Sequence, residues 1–281
     1  MRLPPETRNI LSRLTGVIKD VLFPAQCLVC GAFFHHDLQN KSCLSAEVLQ
    51  AGTAPDFEKV MAPFLCRVCS KDFVAAVSPM CTVCGIMFQS REGEDHICGE
   101  CLTSPKLFGM ARSLGAYERA LMAVIHRMKY AGKVQVARPL GKLLFFAFIR
   151  YWGISRIDLV IPVPLHASKI RKRGFNQSFL LVRGWASMAE ALKIELPFIK
   201  VDGRIFIRKR WTEPQTGLDK KKRLKNIKNA FGVSESAKME GKRILLVDDV
   251  YTTGATVNEC AKVLLGAGAR RVDVLTLAQA L

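Results

Sequence analysis

The chain of 281 residues is short of long hydrophobic runs, the longest being the seven residues Leu143 to Ile149. A helix that crosses a bilayer needs about 20 apolar residues, so no segment reads as a transmembrane span. The first residues also lack the unbroken apolar stretch of a secretory leader, because Glu6, Arg8, Arg13 and Asp20 interrupt it. Both absences lead to the expectation of a soluble, cytoplasmic protein. Acidic residues are scarce in one part only. Residues 106–281 hold 33 Lys and Arg against 13 Asp and Glu, whereas residues 1–105 hold 9 against 11. The formal net charge of +18 thus belongs to the second part, and a basic half of that size expects phosphates or nucleic acid. Cysteine is just as uneven, with nine of the ten before residue 102 and only Cys260 after it. In a reducing compartment such a cluster points to metal ligands or redox groups rather than disulfides.

What is present is enough for a core: 49% of the residues are hydrophobic, which excludes collagen, a coiled coil and wholesale disorder. Three segments differ in texture. Residues 1–24 place Ile10, Leu11, Leu14, Val17, Ile18, Val21 and Leu22 at helical spacing before Pro24, predicting an amphipathic packing helix. Residues 25–105 are cysteine-rich and carry little periodic pattern. Residues 106–281 alternate as an α/β domain, with strands expected at 112–117, 157–163, 244–247 and 272–277. Helices are expected over 119–130, 135–151, 175–194 and 256–267. Strand, helix and strand in that order predict a mainly parallel sheet.

Eight cysteines form four CxxC pairs: Cys27/Cys30, Cys66/Cys69, Cys81/Cys84 and Cys98/Cys101. Two residues of spacing let both thiolates face one tetrahedral ion, and two such pairs close a site without an open coordination position. The count therefore predicts two structural zinc ions, with Gly31 and Gly85 supplying tight turns after their pairs. A thioredoxin-like dithiol would need a single pair in a βαβ context, which is missing. Sequential and crossed pairings both satisfy every ligand. His35, His36, His96 and Cys43 are bystanders on this reading.

A second signature is Arg243-Ile-Leu-Leu-Val-Asp-Asp-Val-Tyr-Thr-Thr-Gly-Ala-Thr256. An apolar strand ends in Asp248 and Asp249, and hydroxyl residues and a glycine lead into a helix. Amides of Thr253, Gly254, Ala255 and Thr256 at a helix N-terminus favour a phosphate, with Thr252 adding a hydroxyl donor. The two carboxylates, about 5 to 10 Å earlier at strand rise, can reach the hydroxyls of an attached ribose. Neither a Walker loop nor a GxGxxG fingerprint fits this stretch.

That order resembles the signature of type I phosphoribosyltransferases, which bind phosphoribosyl pyrophosphate (PRPP) with Mg2+. The resemblance implies that Asp248 and Asp249 hold the ribose hydroxyls, and that Thr252, Thr253, Gly254, Ala255 and Thr256 hold the 5′-phosphate. The expected pyrophosphate loop follows Pro162-Val-Pro164 and carries Lys169, Arg171, Lys172, Arg173 and Gly174 without an intervening acid. Lys129 and Arg173 are the candidate catalytic residues, stabilising the leaving group. Arg173-Gly-Phe-Asn-Gln-Ser178, the VDDVYTTGAT loop, Ile125 to Gly132, Arg208 to Leu218 and the cysteine-rich head together resemble the ComF family of competence proteins. The segment between Cys30 and Cys66 departs from that pattern as an insertion. The resemblance implies a type I phosphoribosyltransferase-like fold behind a zinc ribbon head, a role in natural transformation, and other DNA-uptake proteins as partners.

Residues 201–243 hold 13 Lys and Arg against 5 Asp and Glu, with Trp211 and Phe206 as candidate base-stacking rings, so single-stranded DNA is a further expected partner. Two other functions compete. A nucleobase salvage phosphoribosyltransferase would need neither the head nor the RGFNQS segment, and a noncatalytic DNA-binding adaptor would use the basic face alone.

Overall fold

A computed structural model describes residues 24–35, 56–90, 92–153, 157–194, 200–212, 225–234 and 239–281. The amphipathic helix expected within residues 1–24, His36, Cys43 and residues 213–224 of the basic stretch lie outside them.

Among its described residues the head consists of short pieces: β1 (Ala25–Gln26) pairs antiparallel with β2 (Phe33–Phe34), and three one-turn helices follow. These are α1 (Phe57–Met61), α2 (Arg67–Lys71) and α3 (Gly99–Thr103). Such short elements have no stability of their own and depend on what they pack against.

Next come β3 (Ala111–Ala116), α4 (Arg119–Tyr130), α5 (Ala137–Trp152), β4 (Leu159–Pro162) and α6 (Ala167–Arg173). They are followed by α7 (Gln177–Val182), α8 (Trp185–Ala191), β5 (Lys200–Val201), β6 (Phe206–Arg208) and β7 (Phe231–Val233). The chain then closes with β8 (Arg243–Tyr251), α9 (Ala255–Gly266) and β9 (Arg271–Gln279). Five strands form one parallel sheet in the order β3-β9-β8-β4-β5, while β6 and β7 make a separate antiparallel ribbon.

The apolar runs of β8 and β9 follow from burial on both faces. Leu245, Val247, Leu275 and Leu277 face a core shared with α4, α5, α7 and α8. Ile244, Leu246, Val272 and Val274 face a second core shared with α9 and the β6–β7 ribbon. In the first, Trp185 stacks on Phe148 at 5.4 Å and meets Phe145 edge-on at 5.6 Å, and its indole donates to the Gly141 carbonyl at 3.1 Å. Each such buried ring contributes about 1.5–3 kcal/mol, which outweighs the weak propensity of the short helices α7 and α8.

Packing runs across residue 105. Cys27, Phe57, Met61, Leu65 and Cys69 belong to the first core, and Cys81, Cys84 and Cys101 to the second. Residues 74–76 also run antiparallel along the free edge of β3: the amide of Ala116 donates to Val74 at 2.9 Å and that of Ala76 to Leu114 at 2.8 Å. The head thereby covers an edge that would otherwise be open to pairing. No helix among the described residues is long and apolar enough to cross a membrane.

Two expectations need correction. The helix expected over 175–194 is two helices, separated at Arg183 and Gly184 where Trp185 turns into the core. The basic stretch after Pro164 is not an open loop, since residues 167–173 fold as α6 and end on Gly174 in the left-handed region at φ 86°.

Candidate functional site

A cavity of about 600 Å3 opens at the carboxyl ends of β4 and β8. Its charged lining consists of Lys129, Lys169, Arg173, Arg208, Asp248 and Asp249. Val163, Pro164 and Tyr251 to Val257, except Thr253, border the β8–α9 turn side, and Tyr117, His126 and Tyr130 stand on the α4 side.

Asp249 is 4% exposed and its Oδ2 lies 2.5 Å from Lys129 Nζ. Burial alone would depress this lysine, but Asp249, and behind it Asp248, hold its ammonium above the usual range. Asp248 accepts the Ser178 hydroxyl and the Asp249 amide, each at 2.9 Å on Oδ1. Burial, and then the neighbouring Asp249 charge, push its carboxyl up to about 7. The pair is therefore differentiated: one carboxylate is neutralised by a lysine, and the other holds a proton near neutral pH.

The turn after β8 places Gly254 at φ 73°, capping the 12-residue α9. The Tyr251 ring is tucked under it, and a Cβ on Gly254 would meet the Tyr251 hydroxyl at 2.3 Å, so only glycine fits. The first-turn amides of α9 have no intrahelical acceptors and head the cavity where Ala255 and Thr256 line it. Thr253 does not line the cavity, and its hydroxyl accepts weakly from the Ala255 amide at 3.4 Å.

Arg173 and Gln177 of the RGFNQS segment line the cavity, and its other residues hold the wall in place. Asn176 caps α7 by accepting the Ser178 amide at 3.0 Å, and its side chain donates to Val163 at the end of β4 at 3.1 Å. Arg173 donates to Gln177 at 2.6 Å and lies over the Tyr130 ring at 5.6 Å, which aims it along one wall. Gly174 ends α6 and is not part of the lining.

Arg208 is a site residue that its place in a charge run did not single out. It emerges from β6, packs over Phe231 at 5.3 Å and donates to Thr212. Its buried Nε–H has no hydrogen-bond partner among the described residues. Tyr117 and His126, hydrogen-bonded at 2.9 Å, also line the cavity, nine residues apart across the β3–α4 turn. Phe206 corrects an expectation: at 1% exposure it stacks on Phe231 at 5.5 Å and offers no face to a base, while Trp211 is 49% exposed.

The eight cysteines gather as Cys27, Cys30, Cys66 and Cys69, and as Cys81, Cys84, Cys98 and Cys101, the sulfurs of each group within 4.8 Å of one another. Pairing is sequential. Each group takes one CxxC from a tight turn with glycine at positive φ (Gly31, 75°; Gly85, 73°) and one from a helix start, where Cys66 and Cys98 are the caps of α2 and α3. In the second group the amides of Cys84 and Cys98 donate to Cys81 Sγ at 3.4 and 3.3 Å. Burial opposes ionisation, yet backbone amides bring Cys27 to about 6 and Cys81 to about 7. Burial pushes Cys69 and Cys84 well up, and Cys101 to about 11. Four closely packed thiols of which one ionises readily suit a cation that displaces the protons of the rest, and both groups could hold a metal ion. His96 stands apart, stacked on Phe88 at 4.0 Å.

A parallel sheet with an acidic pair and a glycine-turned helix N-terminus at its carboxyl end defines a phosphoribosyltransferase-type domain, and residues 184–280 match the phosphoribosyl transferase domain family. Across most of the chain the likeness is narrower. The "DNA utilization protein YhgH" of Escherichia coli (strain K12) is 31% identical over 221 residues, 77% of this chain and 91% of that protein. "Competence protein F" of Haemophilus influenzae is 33% identical over 77% of this chain and 90% of its own length. "Competence protein ComFC" of Bacillus subtilis is 26% identical over 89% and 93%. The chain belongs to this ComF family. Among solved structures, a glutamine PRPP amidotransferase from Bacillus subtilis overlaps 51% of this chain and 26% of its own at 21% identity and a TM-score of 0.32. A hypoxanthine phosphoribosyltransferase from Staphylococcus aureus overlaps 52% and 62% at 14% identity and a TM-score of 0.27.

Proposed function

We propose that the protein binds PRPP with Mg2+ in this cavity and serves natural competence by supporting the handling of single-stranded DNA as it reaches the cytosol. The observation that carries this reading is one cavity holding the Asp248–Asp249 pair, the α9 N-terminus, Lys129 and Arg173. The 5′-phosphate is assigned to the Thr252–Thr256 turn, the ribose hydroxyls to Asp248 and Asp249, and the pyrophosphate to Arg173 and the end of α6 at Gly174. Lys129 already neutralises Asp249 and stands ready to share a hydrogen-bonded ribose hydroxyl or the leaving oxygen. Loss of pyrophosphate from PRPP develops positive charge at the anomeric carbon, so Lys129 and Arg173 act by stabilising the departing anion. The two cysteine groups are assigned to structural zinc. The competence role rests on family membership and on the basic character of residues 106–281.

Titration calorimetry with PRPP, with and without Mg2+, tests the reading. Wild type is expected to bind and Asp248→Ala/Asp249→Ala to lose binding; equal heats for both proteins would overturn it. Turnover of a free nucleobase with PRPP would instead favour salvage, and transformation unaffected by the double change would favour a DNA-binding adaptor.

A further inference from the structure

The four cations of the cavity face only two carboxylates, and these offset little beyond one of them. Asp249 is matched by Lys129 at 2.5 Å, while Asp248, held near 7 by burial and by Asp249, carries only part of a charge at neutral pH. Among the described residues Lys169, Arg173 and Arg208 form no ion pair, although Asp248 is near enough to favour the Arg208 charge. Their crowding is evident at Lys169, whose ammonium is disfavoured by burial and then by Arg208, Arg173 and Lys129.

The three are not grouped on one wall. Arg173 is fixed on the α4 side, over Tyr130 and against Gln177. Arg208 is fixed on the ribbon side, over Phe231, with a buried Nε–H that has no hydrogen-bond partner among the described residues. Lys169 projects from α6 into the same cavity. The diphosphate of PRPP carries about three negative charges when ionised and about one beside a single Mg2+, and Arg173 matches it. The 5′-phosphate is served by the α9 amides. Two cations therefore exceed what PRPP needs, at a place where each carries a desolvation cost that only an anion offsets.

We propose that Lys169 and Arg208 form a third anion subsite, beside the PRPP position, that takes a phosphate of a second, nucleotide-type ligand. This inference rests on the PRPP reading above and narrows it: the companion of PRPP in the cavity is a phosphorylated nucleoside, free or within single-stranded DNA, and not a free base. Stacking surface is at hand on both sides, with Trp211 49% exposed three residues beyond Arg208 and Tyr130 70% exposed opposite. The phosphate is the shared chemistry of a mononucleotide and a strand, and Trp211 favours a strand that continues along the ribbon.

The test uses the full-length protein with a fluorescein-labelled oligothymidylate read by anisotropy, dTMP and thymine as competitors, and PRPP with Mg2+ read by calorimetry. Arg208→Gln and Lys169→Gln are each expected to weaken the oligonucleotide about tenfold and to lower its salt slope by roughly 0.7, a larger loss than either causes in PRPP affinity. dTMP should compete and thymine should not. An equal loss of PRPP affinity in Lys169→Gln would overturn the proposal by assigning these cations to pyrophosphate, and so would unchanged oligonucleotide binding in both variants. Arg208→Lys, which keeps the charge, should restore most of the affinity; if it behaves like Arg208→Gln, the loss is one of packing and the assignment of Arg208 fails. Wild type that binds oligonucleotide but no PRPP would refute the PRPP reading, leaving the subsite to be judged by its own variants.

Discussion

Asp248 stands one residue before the carboxylate that Lys129 neutralises, and its environment works against its charge. Burial and Asp249 raise it from an ordinary 3.8 to about 7, so the native state holds a proton that the unfolded chain releases. The stabilisation linked to that proton is complete below about pH 4 and is lost as pH rises through 7. Asp248→Asn removes the titration while keeping the Ser178 hydrogen bond. The variant should melt above wild type at pH 8, by on the order of 1 kcal/mol after screening by the open cavity, or roughly 2–4 °C. Thermal scans from pH 4 to 8 should show the gap closing as pH falls. A gap independent of pH would assign the raised carboxyl no part in stability. None of this was legible beforehand. Adjacent aspartates after an apolar strand announce a binding pair, but which one is matched by Lys129 depends on a helix more than a hundred residues away in the chain.

At the scale of elements, local patterns were read well and tertiary ones were not. β8 and α9 are contiguous in sequence, so the strand, the acidic pair, the glycine and the helix start could be placed from their order. The CxxC spacing likewise fixed four half-sites, but not their partners, because pairing depends on how two turns meet. α6 escaped notice because Ala167 to Arg173 buries no residue and so shows no apolar period. Within the RGFNQS segment Arg173 and Gln177 line the cavity, while Asn176 is a helix cap tied to β4 and Ser178 braces Asp248. Asn176→Ala should therefore cost about 1 kcal/mol or more as a lost cap, and release α7 from β4. Chemical denaturation gives the first quantity. Faster amide exchange at Ser178 with β8 unchanged gives the second, and uniform exchange behaviour would argue against the local role.

The β8–α9 turn has a support of its own. Tyr251 packs edge-on against Phe108 at 6.2 Å, in the core that also contains Cys81, Cys84 and Cys101. Gln279, paired with Tyr251 across β8 and β9, donates to the Cys84 carbonyl at 3.1 Å, and Asn258 of α9 accepts the Leu107 amide at 2.7 Å. Phe108 does not line the cavity. Phe108→Ala should cost about 3–5 kcal/mol and also weaken PRPP binding, although it touches no ligand. If calorimetry at a temperature where the variant remains folded gives wild-type affinity, the turn is rigid without this support.

At the scale of the whole molecule, the sequence suggested a head and a body because its charge and cysteine content change near residue 105. Packing does not respect that change. The first cysteine group shares a core with α4, and Arg127 of α4 donates to the Leu28 carbonyl at 3.1 Å. Buried Arg112 of β3 donates to the carbonyls of Thr82 at 3.2 Å and Ala111 at 2.7 Å, binding the second group to the sheet. The two groups thus buttress the two flanks of the cavity, one behind Lys129 and the other beneath Tyr251. Removing the proposed zinc ions should then do more than unfold a small appendage. With a chelator the protein is expected to melt in one transition at a lower temperature, with loss of the β-sheet signal and of PRPP binding together, because closely packed thiols without a cation leave both cores open at one end. Calorimetric scanning distinguishes the alternatives. Two transitions, of which the larger keeps its original midpoint and its PRPP affinity, would mean that the parallel sheet stands without the cysteine groups.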